Sequence, residues 1–274
     1  MNGTGFATTS AITIKFDDIT LSTTPPTVTT NSNGNFSAII AVPLSATAGL
    51  HTITAEDASA NSASAQFEVT AVPAVPLTPN KDSFIRKDKN VNDGANPNLQ
   101  VRHTESQRTL IAFNQTDIVQ ASQGKTLQFA TLKLFITENS NSWGNSGRTI
   151  ELRLLRTDWT EGNGGYTLDR FRGTGSGVTW NCPTDTNIAN DRRDCNTRWS
   201  GGSFVSAVSA NKLITNGLTG WIEFDVTNDV NGFLAGSNNF GWIIKRAQED
   251  RHGHVFFASG EAASNQPVLE LRYS

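Results

Sequence analysis

The stretch Ala71-Val-Pro-Ala-Val-Pro-Leu-Thr-Pro79 divides the chain into two segments of different composition. Its three prolines favour a stiff, extended connection, because each proline ring fixes its own φ angle. Residues 1–80 contain one basic residue against five acidic ones, whereas all fourteen arginines, all six tryptophans and both cysteines lie further on. We therefore predict two domains, residues 1–70 and 81–274, joined by a proline-rich linker over residues 71–80.

The overall composition favours β-structure. Of the 274 residues, 36% are hydrophobic and 17% are charged, and the remainder is rich in threonine, serine, asparagine and glycine. These residue types suit short strands and turns, and strong helix formers are scarce. No apolar run approaches the roughly 20 residues of a membrane-spanning helix, and a net charge of −3 provides no general basic surface. We expect an all-β protein with no nucleic-acid partner and no membrane insertion.

The first domain has the sequence pattern of a small β-sandwich. Residues 11–16, AITIKF, alternate between polar and apolar side chains, which is typical of a half-buried strand. Asn33-Gly34 lies between two further alternating runs and predicts a hairpin turn. Strand patterns recur about every ten residues, as in immunoglobulin-like sandwiches.

Four short motifs run through this domain: Gly3-x-Gly5-Phe6, Thr30-x-Ser32-x-Gly34-x-Phe36-Ser37, His51-x-Ile53-Thr54-Ala55 and Phe67-x-Val69. Together they resemble the Ig-like repeats of bacterial and archaeal surface proteins. The resemblance implies an N-terminal Ig-like β-sandwich over residues 1–70 that serves as a spacer.

The second domain contains nine strand patterns, most of which alternate: SFIRK, NLQVRHT, RTLIAFN, ATLKLFIT, RTIELRLLR, GWIEFDVT, FGWIIKRA, HVFFAS and VLELRYS. This number of strands predicts a C-terminal two-sheet β-sandwich of the jelly-roll type. Residues 157–202 show no strand pattern and form a long insertion. Connections of this length are uncommon and often functional.

Seven ordered motifs span the second domain: Asp82-Ser-Phe-Ile-Arg86, Asn92-Asp-Gly94 with Pro97-x-Leu99-x-Val101, Arg108-Thr-Leu-Ile-Ala-Phe113, Ala130-Thr-Leu-Lys-Leu134, Trp159-Thr-Glu-Gly162 with Val178-Thr-Trp-Asn181, Phe224-Asp-Val-Thr227, and Phe257-Ala-Ser-Gly-Glu261 with Pro267-x-Leu269. In this order they resemble the DNRLRE-type domain, a jelly-roll family of secreted and surface proteins. Two positions depart from the family pattern. Asn114 replaces an acid after the Arg-led strand, and Gly260 replaces an arginine before the closing Glu.

The resemblance implies a binding module without catalytic activity. Related domains are attached to polysaccharide-active enzymes, and some are classed as carbohydrate-binding modules for acidic polysaccharides such as alginate. Sequence motifs of nucleophilic hydrolases, zinc proteases and nucleotide-binding proteins are missing. We therefore expect a non-catalytic protein that binds an extracellular polysaccharide.

A sugar-binding surface needs exposed aromatic rings for stacking and planar polar groups for the hydroxyls, and arginine suits uronate carboxylates. We predict that seven residues bind the ligand: Trp143, Arg170, Arg172, Arg192, Arg193, Arg198 and Trp199. The remaining tryptophans are assigned to the core, two because they lie in family motifs and two because they lie on strands: Trp159, Trp180, Trp221 and Trp242.

Oxygen-bearing side chains cluster near the start of the second domain, and calcium prefers carboxylate and amide oxygens. The predicted ligands of a structural calcium ion are Asp82, Asn90, Asn92 and Asp93, and the alternative is an Asx-rich turn. We expect Arg86 and Glu261, which open and close the domain, to form a buried ion pair. His252-Gly-His254 is interpreted as the polar end of a hairpin.

Cys182 and Cys195 are the two cysteines of the chain and lie in one Asn- and Asp-rich stretch. Their spacing predicts a local disulfide that closes a surface loop. A disulfide favours an oxidising compartment, so the expected location is extracellular or at the cell surface.

Two alternative functions stay open. Low charge and richness in threonine and asparagine also suit a structural subunit of a fibre, sheath or surface matrix, in which identical subunits join through strand edges. A polysaccharide-degrading enzyme is the weaker alternative, because paired carboxylates need only be close in space.

Overall fold

The computed structural model describes residues 1–43, 46–70 and 72–274. These residues form two compact units, Met1–Val72 and Pro73–Ser274. Strands dominate both units, and the predicted all-β class is confirmed. No helix among the described residues is long and apolar enough to cross a membrane.

The strands of the first unit are β1 (Asn2–Gly3), β2 (Ala11–Phe16), β3 (Ile19–Thr20), β4 (Thr23–Thr24), β5 (Val28–Thr29), β6 (Phe36–Ser37), β7 (Ile39–Ile40), β8 (Gly49–Asp57) and β9 (Ser62–Val69). The main sheet has the order β3-β2-β8-β9, with β5 added to β2. Strands β1 and β6 form one small sheet, and β4 and β7 form another. As the alternation predicts, Ile12, Ile14 and Phe16 of β2 are buried.

The chain reverses at Asn33-Gly34, as predicted. Gly34 has a φ angle of +71°, and a Cβ atom there would lie 2.2 Å from the carbonyl oxygen of Phe6. The side-chain oxygen of Asn31 accepts the backbone N–H groups of Asn33 and Asn35 at 2.9 and 3.0 Å. The flanking strands do not form a hairpin, however, because β5 pairs with β2 and β6 pairs with β1. The turn prediction is confirmed, and the pairing prediction is wrong.

The elements of the second unit are β10 (Ala74–Leu77), β11 (Lys81–Ile85), β12 (Asn98–Arg102), β13 (Arg108–Ala112), α1 (Gln115–Ser122), β14 (Leu127–Asn139), β15 (Arg148–Leu154), α2 (Tyr166–Asp169), β16 (Ala210–Ile214), β17 (Gly220–Asp225), α3 (Thr227–Leu234), β18 (Trp242–Arg246), β19 (His254–Ala258) and β20 (Val268–Tyr273). One sheet of six strands has the order β10-β20-β14-β19-β12, with β17 paired to β14. The other sheet has the order β11-β13-β18-β15-β16.

The two sheets share the main core of the second unit. Leu132 and Phe257 of the six-stranded sheet belong to the same buried cluster as Ile150 and Trp242 of the five-stranded sheet. The predicted two-sheet sandwich therefore forms, because alternate residues of each strand face the other sheet.

The long insertion covers the outer face of the five-stranded sheet. Trp159, Trp180 and Trp199 form a second buried cluster with Leu110 and Ile243 of that sheet. The five-stranded sheet is thus packed on both faces. Among the described residues, no comparable segment covers the outer face of the six-stranded sheet, and nearly all outward residues of β14, β17 and β19 are half-buried or exposed.

Part of the predicted linker belongs to the second unit. Residues 74–77 form β10, an edge strand whose four residues pair with β20, so this part of the stretch 71–80 is not a free connection. Pro76 fits there because an edge strand has one side on which no N–H donor is needed. Ala71 lies outside the described residues.

Candidate functional site

The tryptophans are distributed differently from the prediction. Trp143 is fully buried; its indole nitrogen donates to Asn139 Oδ1 at 2.8 Å, and its ring lies 5.2 Å from the guanidinium of Arg246. Trp199 is 8% exposed and donates to the Thr179 carbonyl at 3.0 Å. The predicted exposure of both residues is wrong, because each ring is buried while its neighbours along the chain are exposed.

Trp221 is the exposed tryptophan, with 42% of its surface accessible, whereas the other five are at most 8% exposed. The assignment of Trp221 to the core is therefore wrong. Its strand, β17, buries Ile222 and Phe224 and turns the alternate residues outward. The period of two was visible in the sequence, but it did not show which set of residues faces the other sheet.

The outward-facing residues of β12, β14, β17, β19 and β20 form what we call the open face. Trp221 meets Phe135 on this face, with ring centroids 5.4 Å apart and an edge-to-face arrangement. The amine of Lys133 lies 5.8 Å from the Trp221 ring centroid and pairs with Glu270 at 3.1 Å and Glu223 at 3.6 Å. The result is an aromatic surface bordered by charged groups.

A cavity of about 410 Å³ lies at the end of this face where β12 and β19 meet, and we call it the histidine cavity. Its lining includes five side chains with ring or charged groups: Arg102, His103, Glu138, His252 and His254. Arg102 and His254 face each other across β12 and β19, so the cavity adjoins the open face. The sequence interpretation of His252 and His254 as the polar end of a hairpin did not predict this cavity. His103, which also lines it, is about 150 residues away along the chain.

Contacts fix the geometry of the histidine cavity. The rings of His103 and His252 lie 4.6 Å apart, and His254 Nε2 lies 2.8 Å from Glu138 Oε1. Burial, together with the neighbouring His252 and Arg246, lowers the pKa of His103. The lowered pKa of His103 favours its neutral imidazole, which both donates and accepts hydrogen bonds and so offers both types of partner to hydroxyl groups.

A buried arginine supports the loop that carries two of these histidines. Arg246 is 1% exposed and donates to the carbonyl oxygens of Gly253 at 2.8 Å and His252 at 3.0 Å. Arg148 also donates to the His252 carbonyl, at 2.6 Å. The backbone of the cavity wall is therefore held by charge-assisted hydrogen bonds.

The insertion carries a second polar surface, which we call the arginine surface. Three guanidiniums lie near the ring of Tyr166: Arg86 at 5.4 Å, Arg170 at 5.5 Å and Arg172 at 5.1 Å from its centroid. Arg172 also pairs with Asp191 and donates to the Asn190 carbonyl at 3.2 Å, which places Asn190 and Asp191 next to this group.

Most of the predicted arginines lie exposed on the insertion. Among the described residues, four of them have no carboxylate within 4.0 Å: Arg170, Arg192, Arg193 and Arg198. Arg172 is half-buried and paired. The positive charges of the other four are available to an anionic ligand.

Three of the four predicted calcium ligands organise the insertion instead. Asn92 is fully buried, donates to the carbonyls of Glu161 at 2.6 Å and Val178 at 2.9 Å, and accepts the N–H of Gly164 at 2.8 Å. Asn90 donates to Asp185 at 3.3 Å. The two oxygens of Asp93 accept the N–H and the hydroxyl of Thr167 at 2.6 and 2.8 Å, and burial raises its pKa to about 6.

The fourth predicted ligand, Asp82, lies in a different group. One oxygen of each of Asp82, Glu161 and Glu261 lies within 4.8 Å of the others, and we call these three residues the acidic cluster. Burial raises the pKa of Glu161 to about 7, and burial and the nearby Glu261 hold the pKa of Asp82 well above its ordinary range. The three acids lie in three separate sequence motifs, and the sequence contained no local signal that they meet.

The predicted ion pair between Arg86 and Glu261 is wrong. Arg86 lies 3.2 Å from Glu105 and 4.0 Å from Asp93, whereas Glu261 lies beside Asp82. Asp82 and Arg86 are separated by four residues of extended chain, which span about 13 Å. Glu261 therefore lies beside the start of β11, whereas Arg86 follows the end of that strand.

The predicted disulfide is confirmed. Cys182 and Cys195 are bonded, with Cα atoms 5.9 Å apart, and they close a loop within the insertion.

The chain is distantly similar to solved structures. One is SGBP-B of the Bacteroides ovatus mixed-linkage glucan utilization locus, in complex with a mixed-linkage heptasaccharide, with 13% identity and a TM-score of 0.26; the match covers 99% of this chain and 47% of that protein. Another is a SusE-like protein, with 12% identity, a TM-score of 0.26, and coverage of 100% and 97%. No curated protein matches the chain.

A protein-family comparison matches the C-terminal part of the second unit. Residues 196–273 match the model of carbohydrate-binding module family 96. This segment contains β16 to β20, and with them Trp221 of the open face and both His252 and His254 of the histidine cavity. The second unit therefore includes a segment similar to carbohydrate-binding module family 96.

Proposed function

We propose that the chain is a non-catalytic polysaccharide-binding protein of the extracellular space, and that the open face of the second unit receives the glycan. The observation that carries this proposal is the exposed ring of Trp221 beside Phe135, on a sheet face that the insertion leaves uncovered. Aromatic rings suit the C–H faces of sugars. The segment that matches the family model includes β17, the strand of Trp221.

The arrangement favours a chain of sugars over a single sugar. Phe135 and Glu138 are three residues apart on β14, and the register shift between Ile136 and Glu138 brings Glu138 onto the same face as Phe135. The aromatic pair and the histidine cavity are therefore separated by about 10 Å. One end of the ligand would stack on Trp221, and hydroxyl groups further along would hydrogen-bond His254, Glu138 and Arg102. A ligand that reaches both places must be an oligosaccharide.

For acidic glycans such as alginate, the second unit offers another candidate surface, the arginine surface. The exposed arginines of the insertion carry charges without carboxylate partners, and guanidinium groups bind carboxylates in a bidentate way. The open face has mixed charge, because Lys133 is already paired with Glu223 and Glu270. Neutral polysaccharides therefore suit the open face, and uronate polymers suit the arginine surface.

The proposal is tested by affinity electrophoresis of the whole chain in gels that contain neutral or acidic polysaccharides. We expect retardation that is lost in Trp221→Ala and kept in Leu213→Ala, a control that removes an exposed apolar side chain from the other sheet. A different result would move the site to the arginine surface. In that case the double variant Arg192→Ala with Arg193→Ala loses retardation in uronate gels, and Trp221→Ala keeps it. Folded protein without retardation in any gel would overturn the proposal.

One observation favours the structural alternative. Strand β9 pairs only with β8 among the described residues, and seven of its eight residues are exposed. It carries no lysine or proline to discourage pairing with another chain. In this second proposal, a strand of an identical subunit adds to β9. Sedimentation analysis tests it: concentration-dependent association that Ala65→Lys abolishes is expected, and a monomer at all concentrations would exclude it.

A further inference from the structure

The acidic cluster joins three distant parts of the second unit. Asp82 lies on β11, Glu161 lies in the insertion, and Glu261 lies in the loop after β19. Backbone groups hold two of these carboxylates in place: the N–H of Asp82 donates to Glu161 Oε1 at 2.5 Å, and the N–H of Gly260 donates to Asp82 Oδ2 at 2.7 Å. The fold therefore holds two of the three carboxylates in place, and the third belongs to the exposed residue Glu261.

No basic side chain among the described residues lies within 4.0 Å of these three carboxylates. The adjacent Lys81 is already engaged, because its amine lies 2.6 Å from Asp158 and donates to the Trp159 carbonyl at 2.8 Å. Three acids in mutual proximity repel one another when ionised. The cluster thus lacks a compensating positive charge from the protein.

A second and independent observation is the state of Asp82. Its side chain is 1% exposed, and its Oδ1 atom has no hydrogen-bond partner within the part of the chain that the structure describes. Buried carboxylate oxygens are normally satisfied by donors or by a metal ion.

We propose that Asp82, Glu161 and Glu261 bind a calcium ion. All three donors are carboxylate oxygens, which hard divalent cations prefer. Oxygens that surround Ca²⁺ at about 2.3–2.6 Å lie at most about 5 Å apart, and the oxygens of the cluster lie within 4.8 Å of one another. Glu261 is exposed, so the ion has a path from solvent.

The ion would connect the first strand of the five-stranded sheet to the insertion and to the loop before the last strand. Removal of calcium would take away this connection and leave three acidic groups close together without a cation between them. This role is structural and does not depend on the proposed glycan binding, so the two proposals can fail separately.

The test is calorimetric titration of the chelator-stripped whole chain with Ca²⁺, together with thermal unfolding in Ca²⁺ and in EDTA. We expect binding of one ion at this site and a higher unfolding temperature in Ca²⁺. Glu261→Gln should weaken Ca²⁺ binding by at least about tenfold, since even changes around metal ligands have effects of this size. Because Glu261 is exposed, the variant should fold, which circular dichroism would verify.

Glu223→Gln is the matched control, because it removes an exposed carboxylate of the same unit outside the cluster. It should leave both Ca²⁺ binding and the calcium-dependent shift unchanged. The proposal is overturned if the stripped chain neither binds Ca²⁺ nor changes its unfolding temperature with it. It is equally overturned if folded Glu261→Gln binds Ca²⁺ as tightly as the unmodified chain, since the ion would then lie elsewhere.

Discussion

The rings of Trp221 and Phe135 meet edge to face across β17 and β14, with their centroids 5.4 Å apart. The contact holds the exposed indole against the sheet, and this reduces the rotamer entropy that a ligand would otherwise have to remove. Strand β17 contributes to both faces of its sheet: its inward residues belong to the core, and its outward residues belong to the open face.

Trp143 and Trp221 should differ in their response to truncation. Trp143→Ala empties a fully buried site and should lower the free energy of unfolding by about 3–5 kcal/mol. Trp221→Ala removes one exposed partner of an aromatic pair, for which about 0.5–1.5 kcal/mol is expected. Urea unfolding of both variants measures the difference. Equal losses of unfolding free energy in the two variants would contradict the burial of Trp143 and the exposure of Trp221.

Asn92 should be important for the stability of the insertion. Asn92→Ala leaves the buried carbonyls of Glu161 and Val178 and the N–H of Gly164 without their partner. Each unsatisfied buried group costs about 1–3 kcal/mol, so we expect a total loss of about 3 kcal/mol or more. Denaturant unfolding checks the value, and Asn211→Ala, at an exposed position on β16, is the control. Similar unfolding curves for the two variants would exclude this role of Asn92.

The disulfide should stabilise the second unit by limiting its unfolded state. Cys182 and Cys195 are 13 residues apart, and closing a loop of this size contributes about 3 kcal/mol in the chain-entropy description. The double change Cys182→Ser with Cys195→Ser should lower the free energy of unfolding by this amount, and a reducing agent should do the same to the unmodified chain. A stability that reduction leaves unchanged would refute the prediction.

Acid should destabilise the first unit through Asp57. Its carboxylate accepts the N–H groups of Ala7, Ser59 and Asn61, and these hydrogen bonds, led by that from Ala7, lower its pKa to about 2. The folded state thus holds this carboxylate ionised at a pH where the unfolded chain, with an ordinary pKa of about 3.9, binds a proton.

The stabilising contribution of Asp57 is therefore complete above about pH 4 and is lost as the pH falls toward about 2. Unfolding measured between about pH 5 and about pH 2, a range chosen around the two pKa values, should show a smaller decline in Asp57→Asn than in the unmodified chain. Parallel declines would show that other groups cause the acid sensitivity.

Local sequence patterns were sufficient for nine strands of the second unit and for one covalent link, but they missed β10 and β16. The alternation in AITIKF placed Ile12, Ile14 and Phe16 in the core, because side chains on a strand alternate between its two faces. The spacing of Cys182 and Cys195 was enough for the disulfide, since nearby cysteines in a turn-rich loop meet without long-range folding. These properties depend on residues that are close along the chain.

Tertiary structure alone decided which faces are covered and which distant groups meet. A period of two separates the faces of β17, but the burial of Trp143 and the exposure of Trp221 depend on where the sheets and the insertion pack. The acidic cluster likewise joins Asp82, Glu161 and Glu261 across long sequence distances. An all-β chain with a local disulfide can be predicted from the sequence, because strand formation and short loop closure depend on neighbouring residues. The open face and the candidate calcium site arose only from packing between segments, which no local pattern encodes.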